Sequence, residues 1–275
     1  MFEYEGITTL VTGASKGIGE ALAVELARRG SHLVLVARSE KALEELAARL
    51  RSEHGVRVEV LSADLLATDA AERIEADLEA RGLQVDLLVN NAGMGAVGPF
   101  LSRPFEPNVR SIQLNVVALM ALTHRLGTAM LARGRGGILN VASVAAFQPM
   151  PFQASYAASK SFVLSFTEAL AEELRGTDVR VMAAHPGATD TGFFDASSAE
   201  MHAGAATPEK VAARTLDDFA RGRSISFPGN RSDRALAFVS RLLPRARTAR
   251  IAGDFNRRAG FHQVSDAKAI PASTG

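Results

Sequence analysis

Short runs rich in Val, Ile and Leu alternate along this chain with longer stretches whose apolar residues recur at helical spacing. No other feature constrains the fold so strongly. Ile7 to Thr12, His32 to Ala37, Val56 to Leu61, Val85 to Asn90, Gly137 to Ala142 and Val179 to Ala184 read as strands. Between them, Glu20 to Gly30, Glu40 to Glu53, Asp69 to Gly82, Phe105 to Arg133 and Gln153 to Arg175 carry apolar stripes with charges on the opposite face. Strands connected through helices run parallel, and strands this apolar are covered on both faces. Further on, Thr207-Pro208-Glu209 reads as an N-cap with Pro at the first helical position, opening a helix to about Arg221, and Ser224 to Phe227 reads as another strand. The expectation is an α/β chain built on a doubly wound parallel sheet of about seven strands, with helices on both faces.

Composition narrows the chemistry. The 275 residues include no cysteine, which excludes a disulfide, a thiolate nucleophile and a zinc site built on sulfur. The histidines and carboxylates show no ligand spacing, so no metal is expected. Met1 to Gly6 carries Glu3 and Glu5 instead of a basic leader. The longest uncharged stretch, 136 to 159, is interrupted by Asn140, Ser143, Gln148, Pro149, Pro151 and Tyr156, so a cytoplasmic protein is expected. Charge is unevenly placed. Residues 221 to 258 hold ten arginines against Asp233 and Asp254, a local balance of +8 in a chain of net +1, which leaves −7 for the rest.

The first strand runs directly into Thr12-Gly13-Ala14-Ser15-Lys16-Gly17-Ile18-Gly19, and a helix opens at its end. Gly13 permits a tight turn, Gly17 allows the backbone close to a pyrophosphate, and Gly19 permits close packing, while the helix N-terminus presents unpaired N–H groups. This loop points to anion binding in a Rossmann-type fold. Its T-G-x-x-x-G-x-G spacing resembles the nucleotide loop of the short-chain dehydrogenase/reductase family.

An acid at the end of the second strand would hold the ribose hydroxyls of NAD. Ala37 stands at that place and Arg38 follows it. Arg38 can pair with a 2′-phosphate, and Lys16 can approach the same group from within the loop, which favours NADP(H). The resemblance adds Asp64 and Leu65, which follow the third strand, as an adenine contact.

Lys160 is the one charged residue between positions 136 and 167, in a stretch that reads as buried, so a polar partner or a ligand is expected for it. Tyr156 lies one helical turn earlier on the same face. A neighbouring ammonium and a positive nicotinamide ring should lower the phenol pKa and make Tyr156 a usable proton donor or acceptor. Ser143 ends the fifth strand, thirteen positions before Tyr156, and Asn115 interrupts an apolar helix upstream. Asn115, Ser143, Tyr156 and Lys160 together resemble the catalytic tetrad of the family, in which the Asn holds a water linking the Lys to solvent. The resemblance also implies that Asn90-Asn91-Ala92-Gly93 steadies the sheet and borders the cofactor, and that Pro186, Gly187, Thr189 and Thr191 border the nicotinamide. It covers roughly residues 5 to 195, with the motifs in the family's order.

Residues 1–230 are therefore expected to form one nucleotide-binding and catalytic domain with a substrate flap at 189–206. Residues 231–275 are expected to form a basic extension packed on it. Within the extension Leu236, Phe238, Val239, Leu242 and Leu243 make an amphipathic stripe of the kind that usually covers the protein's own core or a subunit contact, and that can also dock on an acidic membrane surface. No nucleic-acid recognition motif accompanies the arginines. Phe147, Met150, Phe152, Phe193, Phe194 and Met201 suggest an apolar pocket, or else core. The expected activity is NADP(H)-dependent hydride transfer to or from a carbonyl or secondary alcohol, on a lipophilic ketone, 3-oxoacyl or steroid-like substrate, by a homodimer or homotetramer. A non-catalytic NADP(H)-binding sensor or scaffold, and a sugar-nucleotide epimerase or dehydratase, are the rival readings.

Overall fold

The computed structural model describes residues 2–191 and 205–264. Seven strands, β1 (Thr8–Thr12), β2 (His32–Ala37), β3 (Val58–Ser62), β4 (Leu87–Asn90), β5 (Gly136–Val141), β6 (Val179–Ala184) and β7 (Ile225–Ser226), form one parallel sheet in the order β3-β2-β1-β4-β5-β6-β7. Strand order reverses between β1 and β4, which pair with Leu10 beside Leu88. A doubly wound sheet opens a crevice at that point, outside the carboxyl ends of the strands.

Period-two alternation divides each strand between two apolar layers. Val11, Leu33, Leu35, Leu139 and Met182 face the layer completed by Leu22, Leu26, Leu43 and Phe219 from α1 (Gly17–Arg28), α2 (Glu40–His54) and α7 (Pro208–Ala220). Leu10, Val34, Val36, Leu88 and Ile138 face the other layer, which holds Ile74 of α3 (Ala70–Ala80), Leu122 and Leu126 of α5 (Leu119–Ala132) and Leu170 of α6 (Ala154–Glu173). The helix ends carry the local signals their sequences promise. Ser39 Oγ accepts from the Ala42 N–H, Gly55 closes α2 at φ 68°, and Thr207 Oγ1 accepts from the Lys210 N–H ahead of Pro208.

Two regions differ from simple periodicity. The stretch expected as one helix from Phe105 to Arg133 is α4 (Glu106–Ile112), a π-helical turn over Gln113–Ala118, and α5. This run is long and apolar enough to cross a bilayer. Its inner side nevertheless packs on β4 and β5, and Arg125 bridges Glu72 and Glu75 of α3, so in the fold it is a helix of one layer. The basic stripe near the end is two helices, α8 (Arg231–Leu242) and α9 (Arg245–Arg258), because Pro244 cannot continue α8.

Candidate active site

Gly13 and Gly17 adopt φ of 65° and 61°, and any side chain there would collide: a Cβ on Gly13 would lie 2.9 Å from the Ala92 Cα, and one on Gly17 the same distance from the Thr191 Cβ. A Cβ on Gly19 would lie 2.1 Å from the Gly13 carbonyl oxygen. Gly19 thus lets the loop close on itself, whereas the sequence suggested only tight helix packing. Lys16 is the N-cap of α1 and offers no capping side chain, so the first turn of this twelve-residue helix has no side-chain cap for its N–H groups. Ser15 is half-buried, Ile18 packs into the adjacent apolar layer, and Lys16 is exposed.

Thr12 fastens β1 to β4. Its Oγ1 accepts from the N–H groups of Asn91 and Ala92, both at 3.0 Å, and the Asn91 amide donates to the Thr12 carbonyl at 2.9 Å. Behind it a buried polar row crosses the sheet: Asn90 Nδ2 donates to Thr123 Oγ1 and Asn140 Oδ1, and Asn140 Nδ2 to Thr167 Oγ1. Sequence reasoning singled out Asn90 to Gly93 and gave Thr12 as the first residue of the loop motif, but missed Thr123, Asn140 and Thr167, whose hydroxyl and amide groups carry no motif. At the end of β2, Arg38 is exposed and no carboxylate stands at position 37. Asp64 is exposed, its Oδ1 accepting from the Leu66 N–H in a local turn, while Leu65 is buried.

The four residues expected to act together are brought together. The Tyr156 phenol lies close enough to the Ser143 hydroxyl for that hydroxyl to bear on its titration. Ser143 is buried at the end of β5, where its Oγ also accepts from the Ala145 N–H at 3.1 Å. Lys160, 5% exposed, donates to the Val141 carbonyl at 2.8 Å, with its Nζ 5.9 Å from the centre of the Tyr156 ring. The partner demanded by burial is thus a backbone carbonyl. Gly93 reaches the same centre: a Cβ there would lie 3.1 Å from Asn115 Oδ1 and 3.5 Å from Lys160 Nζ.

Asn115 sits in the π-helical turn, and its amide clamps Met94 in both directions. Oδ1 accepts from the Met94 N–H at 2.9 Å, and Nδ2 donates to the Met94 carbonyl at 2.9 Å. Nδ2 also meets Ser159 Oγ at 2.9 Å, and Ser159 donates to the Tyr156 carbonyl at 2.7 Å. The side chain that the resemblance links to a water also ties the loop after β4 to the backbone of Tyr156. A π-turn at a functional site is a recurrent device for aiming one side chain.

Burial sets the protonation states. It pushes the Tyr156 phenol above its ordinary value, and the Ser143 hydroxyl opposes that only in part. The direction is opposite to the lowering expected from Lys160, whose ammonium is turned to Val141. Burial also brings Lys160 down to about 8.

Pro186 is buried, and Gly187 lies against Asp233 near the start of α8, where a Cβ on Gly187 would meet the Asp233 carboxylate at 2.5 Å. Asp233 accepts from the Asn230 N–H in a capping box, and burial raises its pKa. Thr189 Oγ1 donates to the Gly187 carbonyl at 3.1 Å, and Thr191 stands against Gly17, so the segment after β6 and the glycine loop meet. His185 is fully buried, its Nδ1 3.1 Å from the Ser143 carbonyl, and its ring packs on Phe147 and Phe227. The extension covers the loop between Ser143 and Tyr156. Ser240 Oγ donates to the Phe147 carbonyl at 3.3 Å, and Asn256 Nδ2 to the Pro151 carbonyl at 2.7 Å. Phe152, at φ 67°, holds a strained backbone and packs with Val97, Phe261 and Val264. Of the six suggested pocket residues, Phe147 and Phe152 have their rings in aromatic and apolar clusters and Met150 is half-buried. Phe193, Phe194, Met201 and most of the flap lie outside the described residues.

Residues 8–202 match the family model described as short chain dehydrogenase. Among curated relatives, a very-long-chain 3-oxoacyl-CoA reductase from Phaeosphaeria nodorum is 36% identical over 187 residues, covering 66% of this chain and 54% of that protein. In four such relatives the chain spans between 53% and 62% of their length. A solved short-chain dehydrogenase from Sphingobium yanoikuyae in complex with NADPH is similar with a TM-score of 0.78 and 32% identity, covering 96% of this chain and 99% of that one. One from Burkholderia phymatum in complex with NAD has a TM-score of 0.78 and 29% identity, covering 88% and 94%.

Proposed function

This chain belongs to the short-chain dehydrogenase family of oxidoreductases, and from that premise we propose that it transfers a hydride between NADP(H) and a carbonyl or secondary alcohol on a lipophilic ketone, 3-oxoacyl or steroid-like substrate. The observation that carries the reading is the Tyr156 phenol beside the Ser143 hydroxyl and a buried Lys160 at the carboxyl end of β5. When bound, the nicotinamide supplies the hydride to the carbonyl carbon or takes it from the carbinol.

Tyr156 gives its hydroxyl proton to the carbonyl oxygen as that oxygen gains charge. At neutral pH the phenol holds this proton, which suits reduction. Ser143 donates a second hydrogen bond to the same oxygen and fixes it. Lys160 would hold a ribose hydroxyl of the bound cofactor, and through it a proton from solvent would be returned to Tyr156. Asn115, through Met94 and Ser159, keeps the loop after β4 and the Tyr156 backbone in register. The cofactor's pyrophosphate would rest on Gly13 to Gly19, where a side chain at Gly17 or Gly19 would fill the cradle. Arg38 and Lys16 would hold a 2′-phosphate, Asp64 and Leu65 the adenine, Asn91 to Gly93 the ribose side, and Pro186, Gly187, Thr189 and Thr191 the nicotinamide. Arg38 after Ala37 supports NADP(H), as does the NADPH-bound relative; the NAD-bound relative makes NADH the necessary control. The substrate class is supported by the named activity of the 3-oxoacyl-CoA reductase relative. A homodimer or homotetramer through α4 to α6 is supported by exposed Ile112, Val117, Met120 and Phe162, and the cytoplasm is the proposed location.

The test is oxidation of NADPH and of NADH over a panel of lipophilic ketones and 3-oxoacyl thioesters, with the native protein and Tyr156→Phe. NADPH turnover that disappears in the variant is the expected result. Tight NADPH binding without turnover on any compound would overturn it in favour of a sensor.

A further inference from the structure

The two helices of the extension have an outer side that the fold does not use. On α8, Ala237 and Ser240 face inward, and Ser240 is bonded to Phe147. Phe238, Val239 and Leu242 recur at helical spacing on the opposite side and are 65%, 48% and 71% exposed. On α9, Thr248, Ala252 and Asn256 are buried, with Asn256 bonded to Pro151, while Ile251 is 55% exposed among exposed Arg247, Arg250 and Arg258. Burial of the inner sides accounts for the helices being there; it does not account for these four apolar side chains turned to solvent beside a row of arginines.

We propose that this face docks on an anionic phospholipid surface, with Phe238, Val239 and Leu242 entering the headgroup boundary and the arginines pairing with lipid phosphates and carboxylates. Charge complementarity decides the occupant. Residues 231 to 258, which contain both helices, hold eight arginines against Asp233 and Asp254, a balance of +6 that leaves −5 for the rest of a chain of net +1, so the docking segment is basic and the remainder acidic. A second copy meeting this face in a two-fold dimer would set the same arginines against one another. Because Ser240 of the same helix holds the loop between Ser143 and Tyr156, the docked face lies one helix thickness from the proposed catalytic loop. Docking itself does not depend on the reductase reading.

The experiment is co-sedimentation of the full chain with phosphatidylcholine vesicles, with and without phosphatidylserine, at low and high salt. The native protein should sediment with the phosphatidylserine vesicles only, and less at high salt. Removing two arginines as Arg247→Gln/Arg250→Gln should weaken partitioning roughly thirtyfold, at about fivefold for each charge. Phe238→Ser/Leu242→Ser should abolish binding with the thermal midpoint unchanged, since both side chains are exposed. Absence of binding to phosphatidylserine vesicles would overturn the proposal. So would undiminished binding in either variant. A native dimer in sedimentation velocity that Phe238→Ser/Leu242→Ser converts to monomer would assign the face to a second copy instead.

Discussion

Lys160 is a positive charge held 5% exposed, with one backbone carbonyl as its hydrogen-bond acceptor, and burial lowers its pKa from 10.5 to about 8. Because the folded chain binds this proton less tightly than the unfolded chain, its presence destabilises the fold wherever the unfolded lysine is charged. The full difference corresponds to about 3 kcal/mol below about pH 8. As pH rises from about 8 towards 10.5 the unfolded state still binds the proton and the folded state does not, so stability is recovered over that window. Lys160→Met removes the charge and nearly preserves the volume. The stability of the native protein minus that of Lys160→Met should therefore rise by about 2 kcal/mol between about pH 7 and about pH 9.5, measured by urea unfolding without cofactor. Taking the difference cancels other titrating groups and leaves the orphaned Val141 carbonyl as a constant offset. A difference that stays flat across this range would refute the depressed pKa, and one that falls would mean the ammonium is stabilised in the folded chain.

Three further outcomes follow from the geometry. Gly19→Ala puts a Cβ against the Gly13 carbonyl at 2.1 Å, a clash with backbone that no rotamer relieves; the fold should lose a few kcal/mol by urea unfolding and the loop should lose nucleotide binding by calorimetry. Arg38→Gln should weaken NADPH about tenfold to a hundredfold and leave NADH nearly unchanged, read as two Kd values, because a charge-assisted hydrogen bond contributes about 1.5–3 kcal/mol. Asn115→Ala leaves the Met94 N–H without its acceptor and the Met94 carbonyl with Ser111 Oγ alone, and should lower stability by about 1–3 kcal/mol, with a loss of kcat that exceeds any change in KM.

Much of this architecture is legible from periodicity. Six strands fall within two residues of where the apolar runs place them, because a strand covered on both faces has little freedom in composition. The glycine loop is legible because each glycine answers a steric demand of its own. The tetrad is legible as spacing on two elements, Ser143 at the end of β5 and Tyr156 with Lys160 on one face of α6. The π-turn around Asn115 is not, since one residue added to a single turn barely disturbs a helical apolar pattern. Nor are contacts across long separations, such as Asn256 with Pro151 or Asp233 with Gly187, which depend on where the extension returns. The direction of the Tyr156 shift also escapes the sequence. Proximity of a lysine suggests a lowered phenol, whereas burial of the ring pushes it up and Lys160 is turned toward Val141.

The most direct test of hydride transfer uses NADPH deuterated at the nicotinamide C4 on the transferred face, with a ketone that the native protein reduces. Mass spectrometry of the product alcohol should find deuterium on the carbinol carbon, with no such product from Tyr156→Phe. An alcohol free of deuterium, or one formed equally by Tyr156→Phe, would contradict both the hydride step and the role assigned to the phenol.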